Sequence, residues 1–418
     1  MNRHNSGNKM FGLLLRLKPV IRRVLPASIL EKKRERVYAA VNRADWETAE
    51  TPEALAEGVT LFGLMDEPSG VGESARRYRS AIDAAGIPME VHTLHSGAEA
   101  GLLPGGSDVS PYGTSLFVFN ADCAGFFLRQ IGAGILKGRY NIACWSWELP
   151  EFPARWKNSF SYFDEIWTLS DYCRDSIAAA SPVPVHTVPC CVEPEPDVTL
   201  TRSRFSLPES RTLFLAMADM RSIAGRKNPA GAVRAYLKAF PEDNGKTGLV
   251  LKVYGVENSR EGIPELHDLC RGRNDVFFLR EVYSKTETEA LIGLCDVFVS
   301  LHRAEGFGFP IAEAMALGRA VIVTGWSGNM DFTNEQNACC VPYTPVPVSK
   351  HAEPPYDAQQ IWAEPDEDRA AEFFLRLAGD ESLRRRLGEA GAQTIRQKYS
   401  AAAAAAAVQE RLRRAGQI

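Results

Sequence analysis

The sequence predicts an α/β protein of two domains, each built on a largely parallel sheet. Three observations carry this reading. Short runs rich in β-branched and aromatic residues recur along the 418 residues, separated by stretches of helical character. Several runs lead into glycine-bearing loops that open helices, as in a β-α-β unit. The segment Pro189 to Ser203 (PCCVEPEPDVTLTRS) is polar and proline-bearing without helical period, which marks an interdomain linker. The length sets two or three domains as a prior, and 45% hydrophobic residues suffice for full-sized cores. The expected units are an extension over 1–57, a first domain over 58–200, a second over 201–395 and a terminal helix over 396–418.

The extension is basic. Residues 1–36 hold ten Lys/Arg against Glu31 and Glu35, a net +8 in a chain of net −4, so the remainder carries −12. On a helical wheel Leu13, Leu14, Leu17, Val20, Ile21, Val24 and Leu25 share one face, with Arg16, Lys18, Arg22 and Arg23 opposite. This suits an anionic membrane surface contacted through residues 10–36. Pro19 interrupts a straight helix, and packing on the protein's own core is the plainer alternative. No apolar run reaches the roughly 20 residues of a membrane span, and Arg16 and Lys18 break any secretory signal. A cytoplasmic protein, peripheral at the inner face of the plasma membrane, is expected.

In the first domain, strands are expected at Val59–Met65, Pro88–Leu94, Ser115–Phe119, Tyr140–Trp145, Glu165–Leu169 and Val185–Val188. After the first comes a loop in which Gly70 and Gly72 permit a tight turn into a helix. The full GxGxxG of a dinucleotide cradle is absent. WSWELPEFPARW (Trp145–Trp156) follows the fourth strand, at the edge where parallel sheets bind ligands. The faces of Trp147 and its neighbours suit sugar C–H groups, and Glu148 suits a hydroxyl or a proton-transfer role. A packed aromatic corner is the alternative.

The second domain opens with a strand at Thr212–Met220. RSIAGRKNPAGAVRAYLKAF (Arg221–Phe240) is then a basic loop entering a helix, with Pro229 in its first turn. Arg221, Arg226 and Lys227 precede that helix, and cations beside a helix N-terminus suit a pyrophosphate. Strands follow at Gly248–Gly255, Asp275–Val282, Cys295–Arg303 and from Ala320, with an amphipathic helix over Thr286–Asp296. Ala401–Ala407 are strong helix formers, and Tyr399, Val408 and Leu412 would dock the last helix.

The most specific text is EGFGFPIAEAMALG, Glu305–Gly318. Glu305 and Glu313 are separated by seven residues, a weak pattern alone among 52 acidic residues. Its position between two strand patterns gives it weight. Gly306 and Gly308 let a ligand approach the backbone. With Pro310 as first helical residue, the N–H groups of Gly308, Phe309 and Ile311 are expected unpaired and aimed at an anion.

At these residues the chain resembles the retaining, GT-B-fold glycosyltransferases of family 4. SLHRAEGFGFPIAEAMALGRAVIVTGWSGNMDF (Ser300–Phe332) is similar to their donor-site core, and the resemblance runs over roughly residues 59 to 400. It implies two Rossmann-like domains facing across a cleft, with a C-terminal crossover helix. It places Glu305 at the donor sugar beside the reacting carbon and Glu313 at the ribose hydroxyls. It adds His302, Gly306, Phe307, Gly308, Phe309, Ser327 and Asn329 to the donor site. It implies that Lys227 and one arginine, Arg221 or Arg226, stabilise the leaving diphosphate, so that Glu305, Lys227 and Arg226 are the catalytic set. Gly70 and Gly72 would face the pyrophosphate and acceptor across the cleft. A subset of the family carries W-x-W-E-L-P, which implies Trp147 and Glu148 on the acceptor side.

Nine scattered cysteines without CxxC spacing, and dispersed histidines, predict buried thiols rather than disulfides or a metal site. The net charge gives no reason to expect nucleic acid. The activity expected is transfer of a hexose, without cofactor or metal, from a nucleotide-sugar (GDP- or UDP-linked) to a saccharide or lipid-linked saccharide. Retention of configuration and a role in bacterial surface polysaccharide or glycolipid synthesis go with it. The alternatives are a catalytically silent sugar-nucleotide scaffold, and an epimerase or phosphorylase on the same fold.

Overall fold

The computed structural model describes residues 27–96, 110–220, 224–254, 263–349 and 355–418. Helix α1 (Ala27–Thr48) precedes the first sheet. Its second half docks on the first domain. Tyr38 packs on Gly125, Asn42 donates to the Gly125 carbonyl (3.0 Å), and Lys137 ties down the Ala49 carbonyl (2.6 Å). The predicted amphipathic face, Leu13 to Leu25, lies outside the described residues. Among the described residues no helix is long and apolar enough to cross a membrane.

The first domain runs β1 (Ala56–Gly63), α2 (Gly70–Ala84), β2 (Met89–Thr93), β3 (Tyr112–Val118), α3 (Ala124–Ile131), β4 (Tyr140–Cys144), β5 (Glu165–Thr168), α4 (Asp171–Ala178) and β6 (Val185–Thr187). The strands form one parallel sheet in the order β2-β1-β3-β4-β5-β6. From Val59 onward β1 is buried on both faces, which is why its sequence is nearly continuous rather than alternating in hydrophobicity. Helix α2 starts where the Ser69 hydroxyl accepts from the Gly72 amide (3.1 Å). It buries Ala75, Tyr78, Ala81 and Ile82, a single face at helical spacing.

The second domain runs β7 (Thr212–Asp219), α5 (Ala224–Lys227), α6 (Pro229–Ala239), β8 (Thr247–Tyr254), α7 (Ile263–Leu269), β9 (Val276–Leu279), α8 (Lys285–Leu294), β10 (Val297–Ser300), α9 (Phe309–Ala316), β11 (Ala320–Thr324) and β12 (Cys339–Val341). Its parallel sheet has the order β12-β11-β10-β7-β8-β9. Counted from β7, that is 3-2-1-4-5-6 read backwards, the Rossmann order, whose reversal falls between β7 and β10. The first sheet reverses after a single strand instead. A hairpin of β13 (Tyr343–Pro347) and β14 (Ile361–Pro365) follows, then α10 (Glu367–Gly379), α11 (Glu381–Tyr399) and α12 (Ala401–Arg414).

The hairpin is absent from the sequence reading. Val348, Tyr356 and Trp362 from this region bury themselves in the aromatic core of the first domain, with Trp145, Trp147 and Phe152. Helix α12 also returns to the first domain. Ala404, Val408 and Leu412 are buried, Gln409 donates to the Ala85 carbonyl (2.7 Å), and Arg411 pairs with Glu165. The alanine run lets this helix lie close against α2, since methyl groups demand little clearance.

Candidate active site

The C-terminal ends of β7 and β10 bring two loops together at the reversal of the second sheet. After β7 come Arg226 and Lys227. Asn228 then caps α6 in the left-handed region (φ 48°). Its Oδ1 accepts from Gly231 (3.1 Å) and its Nδ2 donates to the Leu301 carbonyl (2.8 Å). One side chain therefore fixes the cation loop to the strand that leads to Glu305. Lys227 Nζ lies 2.5 Å from Glu305 Oε1, and Arg226 Nη1 lies 3.3 Å from Oε2. Glu305 and Arg226 are both buried. Burial alone would raise the Glu305 carboxyl, but Lys227 and Arg226 outweigh it and hold it at about 2. Of the two candidate arginines, Arg226 stands beside Glu305 among the described residues. Arg221 lies outside the described residues.

The loop after Glu305 is held from behind and from across the cleft. Gly328 sits so close that a Cβ there would come 2.0 Å from the Gly306 carbonyl oxygen. Ser327 adopts φ 73°, ψ −153°, unusual for a residue with a side chain, and its hydroxyl accepts from the Glu305 amide (2.9 Å). From the first domain, Ser170 Oγ donates to the Gly306 carbonyl (2.5 Å) and Cys173 Sγ lies 3.2 Å from the same oxygen. Neither Ser170 nor Cys173 carries a motif, so nothing in the sequence points to them.

Gly308 caps α9 with φ 95°, a conformation that favours glycine. Helix α9 starts at Phe309, which puts Pro310 second rather than first. The predicted trio of free amides is accordingly reduced. Ile311 N–H is bonded to the Gly308 carbonyl (3.0 Å), while the Gly308 and Phe309 N–H groups have no acceptor among the described residues.

Several other predicted residues are buried. Phe307 turns its ring into a cluster with Phe309, Phe332 and Tyr399, where α11 supplies part of the apolar surface. Trp147 is 2% exposed, packed among Trp156, Phe152 and Tyr356, and its indole N–H donates to the Glu151 carbonyl (2.7 Å). It offers no face to a sugar, so the packed corner is what the structure contains. His302 and Asn329 are both fully buried. The His302 ring nitrogens face Ser300, the Trp326 carbonyl and Asn329 Oδ1, and Asn329 Nδ2 donates to the Thr324 carbonyl (3.0 Å). Together they brace the Ser327–Gly328–Asn329 turn behind Glu305. Burial pushes the His302 imidazole below its ordinary value, which keeps it neutral.

Glu148, by contrast, reaches the site from across the cleft. Its Oε1 is 3.9 Å from Arg226 Nη2, and its Oε2 accepts from Tyr356 (3.1 Å) on the hairpin segment. Gly72 is required by its turn, where a Cβ would lie 2.4 Å from the Glu67 carbonyl oxygen. Gly70 is exposed and meets no atom within 4 Å. Glu313 accepts from Arg77 (2.6 Å) and from Lys285, two cations that the sequence reading did not identify.

Residues 222–349 match the family described as glycosyl transferases group 1. No curated protein matches the sequence significantly. Among solved structures the chain is similar to HepE of Anabaena in complex with UDP and glucose, with 12% identity and a TM-score of 0.58 over 85% of this chain and 99% of that one. It is similar to sucrose-phosphate synthase from Thermosynechococcus elongatus, with 16% identity and a TM-score of 0.59 over 86% and 99%. A complex of S. aureus TarM with UDP is similar at 13% identity and a TM-score of 0.50. There the match covers 73% of this chain, which spans only 55% of TarM. Identities this low speak for the fold alone. The fold is GT-B, with two parallel-sheet α/β domains and a C-terminal helix, and the second domain carries the group 1 match.

Proposed function

We propose that the protein is a glycosyltransferase of the family-4 type. It moves a hexose from a nucleotide-sugar to a saccharide or lipid-linked saccharide, with retention of configuration, in surface polysaccharide or glycolipid synthesis. The observation that carries this is Glu305, buried between Lys227 and Arg226 at the reversal of the second sheet, with Glu148 facing it from the first domain. A donor diphosphate is doubly anionic and competes with Glu305 for both cations. As it binds, Lys227 and Arg226 turn toward the phosphates, assisted by the open Gly308 and Phe309 N–H groups at the start of α9. Glu305 is then left beside the sugar, where its negative charge favours positive charge at the reacting carbon. Two cations and a helix end supply the neutralisation that a divalent metal supplies in other diphosphate sites, so chelators should not abolish binding.

Solved structures of similar fold hold UDP, which makes UDP-sugars the first donors to test. Calorimetric titration of UDP-, GDP-, ADP- and dTDP-sugars without added metal should show micromolar binding of one class. The Glu313→Ala variant should lose it. No binding by any of the four would sink the transferase reading and favour a scaffold.

A further inference from the structure

A second group of charges lies at the seam between the domains, around Glu313 of α9. Helix α2 contributes Glu73 and Arg77, α8 contributes Lys285 and Glu289, and α9 contributes Glu313. Arg77 Nη2 donates to Glu313 Oε1 (2.6 Å), and Nε lies 2.7 Å from Glu73 Oε1 in a bent ion pair. Lys285 Nζ reaches the same Glu313 Oε1 and lies 3.2 Å from Glu73 and 3.3 Å from Glu289. The linker joins in, because Arg77 Nη1 donates to the Cys191 carbonyl (2.8 Å) and Glu289 Oε2 accepts from the Glu195 amide (2.7 Å). The Arg77 guanidinium also lies over the Phe309 ring, 5.0 Å from its centre.

Two cations therefore share one oxygen of Glu313. The other, Oε2, accepts no hydrogen bond from the described residues and is not among the oxygens sealed from solvent. A buried carboxylate with one satisfied and one open oxygen is oriented for a donor that arrives later. If the reading above holds, that donor is a ribose hydroxyl. The cations set which oxygen faces it.

Resting on that reading, we infer that Arg77 and Lys285 are donor-positioning residues. They orient Glu313 toward the ribose of a nucleoside diphosphate, and Arg77 carries that contact across to the first domain. The nucleotide is thus gripped through one carboxylate that also belongs to the domain seam.

The test separates ribose from phosphate. UDP, GDP and ADP are titrated calorimetrically against wild type, Arg77→Met, Arg77→Lys and Lys285→Met, and inorganic pyrophosphate is titrated in parallel. Exposed Arg79→Met on the same helix is the control. For the nucleotide that wild type binds best, Arg77→Met should raise Kd roughly tenfold or more, the size of one charge-assisted hydrogen bond. Pyrophosphate affinity should hold, and Arg77→Lys should recover part of the loss. Lys285 is partly exposed where Arg77 is buried, so Lys285→Met is the second variant and should give the same selective loss even where Arg77→Met is unstable. Nucleotide affinity unchanged in both Met variants overturns the inference, as does an equal fall for nucleotide and pyrophosphate. A wild type that binds neither overturns the transferase reading itself, and the inference with it.

Discussion

Glu305 is 7% exposed and touches two cations, so its protonation state and its reactivity are set by the same neighbours. Substituting Glu305→Gln removes the charge but keeps the shape. Turnover should fall about 10²–10³-fold, as for other preorganised electrostatic groups. Nucleotide affinity should not weaken, since Lys227 and Arg226 are then free for phosphate. Steady-state rates beside calorimetric Kd values check this split, and a parallel loss of both would contradict it. The same pairing predicts acid sensitivity. Glu305 and Glu73 are both held at about 2, below the ordinary 4.5, because their cations outweigh burial. A carboxylate depressed in the folded state stabilises it fully above the unfolded value and loses that contribution as pH falls toward the folded value. His302 has the same sign, starting from its ordinary 6.5, because burial disfavours its charged form. Melting temperature should therefore start to drop below about pH 6.5 and fall most steeply below about pH 4.5. Glu305→Gln should flatten the lower part of that curve, and an unchanged curve would show that the pair does not govern it.

At the scale of elements, two glycines are forced by close backbone approach. A Cβ at Gly388 in α11 would lie 2.0 Å from the Gly318 carbonyl oxygen, and one at Gly328 equally close to Gly306. Alanine is the better helix former by about 1 kcal/mol. The clash is with backbone, which cannot swing aside, so Gly388→Ala should still destabilise by about 1–3 kcal/mol. Gly70→Ala, with open space around it, should be close to neutral. Denaturant midpoints of the two variants test this ranking. These elements also show what the sequence could and could not convey. The parallel strands were legible because buried strands must be rich in β-branched and aromatic residues. The β13–β14 hairpin was not, because YTPVP and IWAEP both contain proline, which argues against a strand interior. Lys227 and Glu305 were legible through the loops that carry them. The pairing of Arg77 with Glu313, 236 residues away, was not, since nothing local records that α2 and α9 meet. The tryptophan-rich turn reads equally well as a sugar platform or as a core corner. Only Tyr356, arriving from the hairpin, decides between them.

For the whole molecule, the terminal helix determines how the two domains are tied. Removing residues 400–418 would expose the surface that Ala404, Val408 and Leu412 cover on the first domain. Burial of Val408 and Leu412 alone contributes about 1.5–3 kcal/mol each. The truncated chain should melt earlier and in two steps, which scanning calorimetry would resolve. A single unshifted transition would mean that α12 is dispensable. The chain passes between the domains twice at one place, once through Pro189–Ser203 and once at Tyr399–Ser400. The two passes are joined to each other, for the Val192 amide donates to the Tyr399 carbonyl (2.7 Å) and Glu193 accepts from the Ala401 amide (2.9 Å). Two adjacent pivots define a line, as two pins define how a door swings. Opening and shutting about that line is permitted, whereas sliding and twisting are resisted. Glu148 should therefore return to Arg226 in the same register each time the jaws come together.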